Sequence, residues 1–382
     1  MKVLHLFNEI QFSGAEIMYA NAASLFQKEG VELLAFSTGK EMGTFAPVFE
    51  REKIRIFHKP IDFRPFSLKG FMYYTSLYRF LKKEKIDVLH IHRSSLNFVA
   101  FIAWLANVKC IKTQHSTFQN RKFTRPVAIL RRLILRKCLN VTFQTIGESV
   151  YENEFHYYKN PSVRINNWFD SKKFFPVKDE LEKLAIRKSL SIPEKAFVLI
   201  STGACTENKS HKDIIRALAL IKDQMNVIYL HLGTGELEQE EIVLTKELGI
   251  SDQIHYMGNQ QNVRDFLVAS DVYLMPSKFE GLGNSALEAM ACKVPVILND
   301  VAGLRDLIEN NDNGFLIAPD YRLMAEKILY YFENPLVAKE KAENAYSFVV
   351  SEFSMEKNAT KMIDLYKKNE NSTVTYGSAK QY

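Results

Sequence analysis

The stretch 271–300, DVYLMPSKFEGLGNSALEAMACKVPVILND, contains the pattern that decides the fold. Its first five residues, 271–275, are an apolar run that a Pro-Ser pair closes, which predicts a buried strand. A glycine-bearing loop, 280–284, comes next. Strong helix formers then predict a helix, with Asn284 or Ser285 as its N-cap. The apolar run PVIL that follows is again strand-like, so the stretch predicts strand, glycine loop, helix and strand.

This unit favours a bound anion, because glycines let the backbone approach a ligand and the first turn of a helix offers free N–H groups and a partial positive charge. Two carboxylates, Glu280 and Glu288, flank the loop with seven residues between them. Singly, Glu280 fits an acid favoured by the helix dipole and Glu288 fits a solvated helix residue. Together they indicate a ligand that also carries hydroxyl groups, such as a sugar or a ribose, because carboxylates accept hydrogen bonds from hydroxyls.

The ordered string P-S-x-x-E-G-x-G-x-x-x-L-E-A-M-A-C, followed by P-V-I, resembles the signature segment of the group 1 (family 4 type) glycosyltransferases. These are retaining enzymes of the GT-B fold that use nucleotide sugars. The resemblance implies that Glu288 holds the ribose hydroxyls and that Glu280 contacts the sugar or its phosphate side. It also implies that the leaving diphosphate is stabilised by the loop amides and Lys209. The loop residues concerned are Gly281, Leu282, Gly283 and Asn284.

Composition is that of an ordinary globular protein, with 382 residues, 47% hydrophobic and 25% charged. The four cysteines have no metal-like spacing and read as reduced, buried thiols. The N-terminal apolar run 3–7 is too short for a signal peptide, and no run approaches 18 apolar residues. We therefore expect a cytoplasmic protein that does not span a membrane.

Short apolar runs alternate with helical patterns in the first half of the chain, which predicts βα repeats around a parallel sheet. The predicted strands are 3–7, 33–36, 54–57, 88–92, 110–114 and 141–145. After the first strand, Gly14 stands where the family has a GGxE-like loop that contacts the donor phosphates, although without the resemblance a simple βα turn is the better explanation of this glycine. His115 matches the histidine of the family's T-x-H, beside the transferring sugar. His90 and His92 would share one strand face, but without a third ligand nearby we interpret them as structural or as lining the ligand cleft.

The second half resembles the family's donor-binding domain. Gly203 and Lys209 match the pattern G-R-L-x-x-x-K-G, in which the Arg and Lys hold the donor diphosphate, but Ala204 stands at the arginine. Gly235 belongs to the family's L-x-G-x-G turn. Asn262 and Val263 follow where the family lays the base against the backbone. The missing arginine leaves the donor affinity and the nucleotide open.

The resemblance implies two Rossmann-like, doubly wound α/β domains that face each other across a cleft. We predict an N-terminal acceptor-side domain over 1–175 and a nucleotide-sugar-binding domain over 176–353. A helix over 354–368 would cross back to the first domain, and 369–382 would be a disordered tail.

Residues 121–140 contain seven basic residues and no acid, interleaved with apolar ones. Residues 1–170 carry 25 Lys and Arg against 14 Asp and Glu, whereas 171–382 carry 25 against 30. An amphipathic helix with a solvated basic rim and a basic surface attracted to anionic lipid, centred on 121–137, explain this segment equally well. In the second case the protein would associate with the inner face of the cell membrane. No nucleic-acid module is recognisable, so we expect no nucleic-acid partner.

We therefore predict a retaining hexosyltransferase that moves a sugar, from UDP in preference, to a glycan or a polyprenyl-diphosphate-linked acceptor, as in bacterial surface polysaccharide synthesis. Because the sequence has no Asp-x-Asp motif, we expect neither a metal nor a cofactor. The alternatives are a non-catalytic GT-B-like protein that binds a glycan or lipid, favoured by Ala204, and another nucleotide-sugar or NAD-dependent enzyme, favoured by Gly233 and Gly235.

Overall fold

A computed structural model of the protein describes residues 1–64, 66–93 and 97–368. The chain forms two compact units. Unit 1 contains Met1–Trp168 and the C-terminal segment that begins at Met355, and unit 2 contains Phe169–Ser354. Within the described part of the chain, no helix has both the length and the apolar character needed to cross a membrane.

Unit 1 alternates strands and helices from its first residues. Its elements are β1 Lys2–Phe7, α1 Gly14–Lys28, β2 Glu32–Ser37, α2 Ala46–Arg51, β3 Arg55–His58, α3 Leu68–Glu84, β4 Val88–Ile91, α4 Asn97–Leu105, β5 Lys109–Gln114, α5 Arg125–Lys137, β6 Thr142–Thr145, α6 Glu148–Glu152 with a π-helical turn at Asn153–Tyr157, and β7 Val163–Arg164.

Unit 2 continues the alternation. Its elements are α7 Glu180–Ser189, β8 Phe197–Thr202, α8 His211–Ile221, β9 Val227–Leu232, α9 Glu238–Glu247, a 3-10 turn at Ser251–Gln253, β10 Ile254–Gly258, α10 Val263–Ala269, β11 Val272–Met275, α11 Asn284–Ala291, β12 Val296–Asn299, a 3-10 turn at Arg305–Leu307, β13 Phe315–Ile317, α12 Tyr321–Glu333 and α13 Pro335–Phe353. The last helix, α14 Met355–Lys367, belongs to unit 1.

Each unit is built on one parallel sheet. The strand order is β3-β2-β1-β4-β5-β6-β7 in unit 1 and β10-β9-β8-β11-β12-β13 in unit 2. All paired strands are parallel, as in the registers Val3↔Leu33 and Tyr273↔Val296. The strand order reverses between β1 and β4 in unit 1 and between β8 and β11 in unit 2. The prediction of two doubly wound α/β domains is confirmed.

The β1 strand shows how the sheet of unit 1 is covered on both faces. Val3 and Phe7 belong to a core cluster shared with α1 and α14, whereas Leu4 and Leu6 belong to the cluster on the opposite face. This follows from the alternation of side chains along a strand. Helix α14 is fixed to unit 1 by Tyr366, whose hydroxyl lies 2.7 Å from Nδ1 of His90.

Some details differ from the sequence-based expectations. Residues 169–175 lie in unit 2, where the Phe169 amide donates to the Phe353 carbonyl. The cysteines are all free, and three are buried as expected, but Cys138 is exposed. The tail predicted for 369–382 falls outside the described residues.

Candidate active site

The candidate site of unit 2 lies where the strand order reverses. Lys209 follows β8 and Glu280 follows β11, and these two strands are neighbours in the sheet although 71 residues separate the two side chains. In open parallel sheets the ends of two strands that wind in opposite directions leave a crevice, which is where ligands bind. The topology therefore brings the predicted lysine and the predicted glutamate to one place.

Lys209 and Glu280 form a salt bridge, with Nζ and Oε1 2.7 Å apart. Both side chains are mostly buried, at 22% and 15% exposed. Gly203 lies beside the lysine, because a Cβ at this glycine would stand 3.3 Å from Cε of Lys209. The carboxyl end of the sheet thus carries the Lys209 ammonium group, the Glu280 carboxylate and, at Gly203, backbone without a side chain.

Asn208 joins the two loops that carry the salt bridge. Its side-chain amide donates to the Phe279 carbonyl at 3.1 Å, and its Oδ1 accepts from the Phe279 amide at 3.2 Å. The Lys278 amide donates to the Asn208 carbonyl at 2.8 Å. Asn208 is not among the residues predicted from the sequence, where its only signal is its position directly before Lys209.

The glycine loop turns into helix α11 at Gly283. This residue is the N-cap, with φ +86°, a left-handed conformation that favours glycine. A Cβ there would also lie 2.5 Å from Cδ2 of Leu304. The prediction that Asn284 or Ser285 caps the helix is wrong, because the chain needs this conformation to turn; Asn284 is instead the first helical residue.

Ser285, in the first turn of α11, is anchored to the sheet. The Tyr273 hydroxyl donates to Ser285 Oγ at 2.8 Å, and Ser285 Oγ donates to the Thr202 carbonyl at 3.4 Å. Tyr273 is in β11 and Thr202 ends β8. The helix terminus predicted to face the diphosphate is therefore fixed against both strands of the crevice.

Glu288 lies one turn into α11 and is partly buried. Burial raises the pKa of its carboxyl to about 8, and the ammonium group of Lys173 offsets this only in part. The carboxyl therefore carries its proton at neutral pH, unless a ligand stabilises the ionised form.

Replacing Glu288 with glutamine should make folded stability less sensitive to pH. In the unfolded chain the carboxyl releases its proton near pH 4.5, whereas the folded protein keeps it up to about pH 8. Between these values the folded state binds more protons, so the wild-type free energy of unfolding falls as pH rises. Glutamine does not titrate, so its contribution does not change with pH. Between pH 5 and pH 8, the free energy of unfolding of Glu288→Gln should therefore increase relative to that of wild type by at least about 1 kcal/mol.

Urea unfolding at the two pH values measures this difference. Glu333→Gln, at an exposed glutamate of α12, serves as the matched control and should show no such change. A stability difference between Glu288→Gln and wild type that is the same at both pH values would contradict the proposed burial effect.

Three other residues of unit 2 predicted to bind the nucleotide sugar, Gly235, Asn262 and Val263, are not part of the Lys209–Glu280 salt bridge. Gly235 packs on the loop after β8, since a Cβ there would stand 2.6 Å from the carbonyl oxygen of Cys205. Asn262 is the exposed N-cap of α10 and Val263 its first residue. The structure does not link either of them to Lys209 or Glu280 by a hydrogen bond.

Gly14 and His115 belong to unit 1. Gly14 is the first residue of α1, after the extended N-cap Ser13, whose hydroxyl donates to the Glu16 carboxyl group. His115 follows β5, and its Nε2 lies 3.1 Å from Nδ1 of His92. Burial lowers the pKa of His115 to about 4, so its imidazole is neutral at pH 7.

A third histidine, His5 of β1, completes this network. His5 Nδ1 lies 2.9 Å from Nε2 of His92, so the expectation that no third potential ligand lies near His90 and His92 is wrong. The sequence could not show it, because β1 becomes the neighbour of β4 only in the folded sheet. His5 and His92 thus orient His115 through hydrogen bonds.

Comparison with known protein families matches both parts of the chain. A model described as "Glycosyl transferases group 1" matches residues 182–348, and one described as "Glycosyltransferase Family 4" matches residues 12–149. The first match lies in the C-terminal half of the chain and the second in the N-terminal half.

Two curated proteins are similar in sequence to most of this chain. The chain is 28% identical to an N-acetyl-alpha-D-glucosaminyl L-malate synthase of Bacillus anthracis, over 75% of each chain. It is 26% identical to the UDP-Gal:alpha-D-GlcNAc-diphosphoundecaprenol alpha-1,3-galactosyltransferase of Escherichia coli, over 86% of this chain and 87% of that one. Among solved structures, Anabaena Alr3699/HepE in complex with UDP and glucose superimposes with a TM-score of 0.82 at 18% identity, covering 97% of this chain and all of the other. This likeness shows the same fold.

Proposed function

The chain belongs to the group 1 glycosyltransferases and has the GT-B fold, and from this premise we propose the reaction that it catalyses. It moves a sugar from a nucleotide diphosphate sugar to the hydroxyl of a glycan or lipid-linked acceptor, with retention of anomeric configuration. The bond between the anomeric carbon and the diphosphate oxygen breaks, a bond to the acceptor oxygen forms, and the acceptor proton ends on the leaving diphosphate.

The observation that carries this proposal is the Lys209–Glu280 pair beside the N-terminus of α11. Negative charge grows on the leaving diphosphate, and the Lys209 ammonium and the helix terminus are fixed donors that stabilise such charge. Glu280 accepts hydrogen bonds from sugar hydroxyls, and Glu288 accepts those of the ribose. For Gly14 and His115 we propose the family roles at the donor phosphates and at the sugar.

Lys209 carries the diphosphate charge without the arginine that the family has at the position of Ala204. Ala204 is exposed, and the nearby Lys212 is engaged by Glu240, with Nζ and Oε2 2.5 Å apart. This arrangement supports Lys209 as the principal cation for the diphosphate. We propose that the transfer step needs no divalent cation, because the sequence lacks an Asp-x-Asp pair. Added Mg²⁺ or Mn²⁺ should therefore leave the transfer rate unchanged.

We favour UDP as the nucleotide of the donor. The Escherichia coli relative is named for UDP-Gal, and the Anabaena structure is a complex with UDP and glucose. The same relative, named for a diphosphoundecaprenol substrate, supports a lipid-linked acceptor and a place in bacterial polysaccharide synthesis.

Thermal unfolding with a ligand panel tests the proposed donor. Because a ligand that binds only the folded state raises the midpoint by mass action, about 1 mM UDP or UDP-sugar should raise it by about 5 °C, and GDP, ADP and NAD by less. The Glu288→Ala variant should lose this response, and Glu333→Ala should keep it. A response to no nucleotide would favour the non-catalytic glycan-binding or lipid-binding alternative, and a response to NAD alone would favour the dehydrogenase-like one.

Unit 1 has surfaces suited to a lipid-linked acceptor. Helix α5 exposes four apolar side chains, and four basic side chains of its segment are also exposed. These are Val127, Leu130, Leu133 and Ile134, with Arg121, Lys122, Arg131 and Lys137. Arg132 is not part of this surface, because it pairs with the buried Glu154 at 2.8 Å. A separate groove of about 670 Å³ between α3 and α4 is lined by aromatic side chains such as Phe71, Tyr74 and Phe101.

The exposed apolar and basic residues of α5 support the proposal that this helix lies on an anionic membrane surface. In co-sedimentation, we expect binding to vesicles that contain anionic lipid and weaker binding to neutral ones. The variant Leu130→Gln/Arg131→Gln/Leu133→Gln should bind anionic vesicles about tenfold more weakly. Val350→Gln, at an exposed valine of unit 2, serves as the control. Equal binding of the triple variant and wild type would exclude α5 as the contact.

A further inference from the structure

Unit 2 contains a buried cluster of four side chains that the proposed transfer reaction does not use. Cys205 follows β8, His211 begins α8, His231 is in β9 and Glu241 is in α9. Each is at most 2% exposed, and one ligand atom from each lies within 4.8 Å of the ligand atoms of the other three. The cluster thus joins four consecutive elements of the unit.

The polar atoms of this cluster lack ordinary partners. Both carboxylate oxygens of Glu241, and the Nδ1 atoms of His211 and His231, are buried without a hydrogen bond. Within 1–64, 66–93 and 97–368, neither a lysine nor an arginine forms a salt bridge with Glu241. A buried carboxylate that has no cation, and only the weak donor of the Cys205 thiol beside it, is destabilising, so the fold must supply a compensating group.

The distances within the cluster fit a tetrahedral metal ion. His211 Nδ1 lies 3.7 Å from Glu241 Oε1, and His231 Nδ1 lies 3.5 Å from Glu241 Oε2. Cys205 Sγ lies 3.7 Å from the other ring nitrogen of His231, Nε2. Because only one nitrogen of a histidine binds a given ion, the fit of all four residues depends on one ligand atom from each lying within 4.8 Å of the other three. Around zinc, bonds of about 2.0–2.3 Å at tetrahedral angles place neighbouring ligand atoms about 3.3–3.7 Å apart. The two nitrogen–oxygen separations are too long for good hydrogen bonds, and the sulfur–nitrogen separation is that of a weak thiol hydrogen bond, but separations of this length also suit ligands of one ion.

We propose that Cys205, His211, His231 and Glu241 bind one Zn²⁺ ion in a closed, structural site. Sulfur, imidazole nitrogen and carboxylate oxygen together are the ligand set of zinc, and four protein ligands leave no open position for catalysis. The cation also neutralises the Glu241 carboxylate. A cavity of about 250 Å³, which His211 and Glu241 help to line, gives the ion a path to the cluster.

The group of His5, His90 and His92 in unit 1 differs from this cluster. His5 and His92 are 2.9 Å apart and bonded to each other, and the two ring nitrogens of His90 face Tyr366 and Thr113. Their nitrogens already have partners, so that group needs no ion. The cluster of unit 2 differs because four of its polar side-chain atoms are buried without a hydrogen bond.

The proposed zinc would hold the loop that leads to Lys209. The Cys205 amide donates to the Thr234 carbonyl at 3.2 Å, and Gly235 packs directly on Cys205. His211 is two residues beyond Lys209. Metal binding at Cys205 and His211 therefore fixes both ends of this loop against β9 and α9, whatever reaction the protein catalyses.

Metal analysis of the untagged full-length protein, purified without chelator, tests the proposal directly. We expect about one zinc per chain by elemental mass spectrometry. Cys205→Ser and His231→Gln should each retain at most about a fifth of it. Cys292→Ser, which alters another buried cysteine of unit 2, should retain all of it. Zinc that is lost from Cys292→Ser but kept by both cluster variants would overturn the assignment.

A second measurement covers variants that fail to fold. A strong chelator should lower the thermal midpoint of the wild-type protein by about 5 °C or more, and Zn²⁺ but not Mg²⁺ should restore it. Co²⁺ in place of zinc should give the visible absorption of a tetrahedral thiolate complex. A zinc-free wild-type protein whose midpoint does not change with chelator or added Zn²⁺ would overturn the proposal, and buried water would then satisfy the cluster.

Discussion

Replacing Glu280 with glutamine is expected to lower kcat/KM for sugar transfer by about 100-fold to 1,000-fold while leaving the fold intact. The substitution keeps the shape of the side chain but removes the negative charge that accepts hydrogen bonds from the donor sugar and positions Lys209, 2.7 Å away. Steady-state kinetics at saturating acceptor measure the effect. Because the hydroxyls must be oriented in the transition state, we expect the loss mainly in kcat.

The stability of the Glu280→Gln variant is part of this prediction. Both side chains of the salt bridge are mostly buried but keep some contact with solvent, so its loss should cost about 2 kcal/mol. Glu333→Gln, at an exposed glutamate of α12, is the activity control and should behave as wild type. A folded Glu280→Gln enzyme with more than half of the wild-type rate would show that Glu280 has no role in transfer.

Replacing Lys209 with methionine should have a comparable effect on kcat/KM, about 100-fold or more. The substitution removes the cation proposed to neutralise the diphosphate, and it leaves the carboxylate of Glu280 to repel the donor. Donor affinity and turnover should therefore both fall, which separates this variant from Glu280→Gln. Kinetics over a range of donor concentrations resolve KM and kcat.

Lys212→Met is the matched control, because this lysine lies only three residues away but pairs with Glu240. We expect it to change kcat/KM by less than about threefold. If Lys212→Met is as impaired as Lys209→Met, then the charge of the whole segment, rather than the Lys209–Glu280 pair, binds the donor. If Lys209→Met is active and Lys212→Met is not, the assignment of the diphosphate cation is wrong.

The architecture was predictable from the sequence because its signals are local. Predicted strands 3–7, 33–36 and 110–114 correspond to Lys2–Phe7, Glu32–Ser37 and Lys109–Gln114. Apolar runs of this length, separated by helical patterns, specify βα units without knowledge of distant residues. The loop and helix around Glu280 and Glu288 were also predicted from their local pattern, except for the helix cap. The left-handed Gly283 took that position because Leu304 packs where a Cβ would be.

The class of the protein follows from local patterns in the sequence: two parallel α/β sheets, a glycine loop before a helix, and the pair of glutamates that indicates a hydroxyl-bearing anionic ligand. The tertiary structure decided which side chains meet. Asn208 binds Phe279, His5 reaches His92, and Cys205 joins His211, His231 and Glu241. The physical reason is that secondary structure depends on neighbours a few residues apart, whereas these contacts depend on strand order. That order, β9-β8-β11 in unit 2, forms only when the sheet buries its faces.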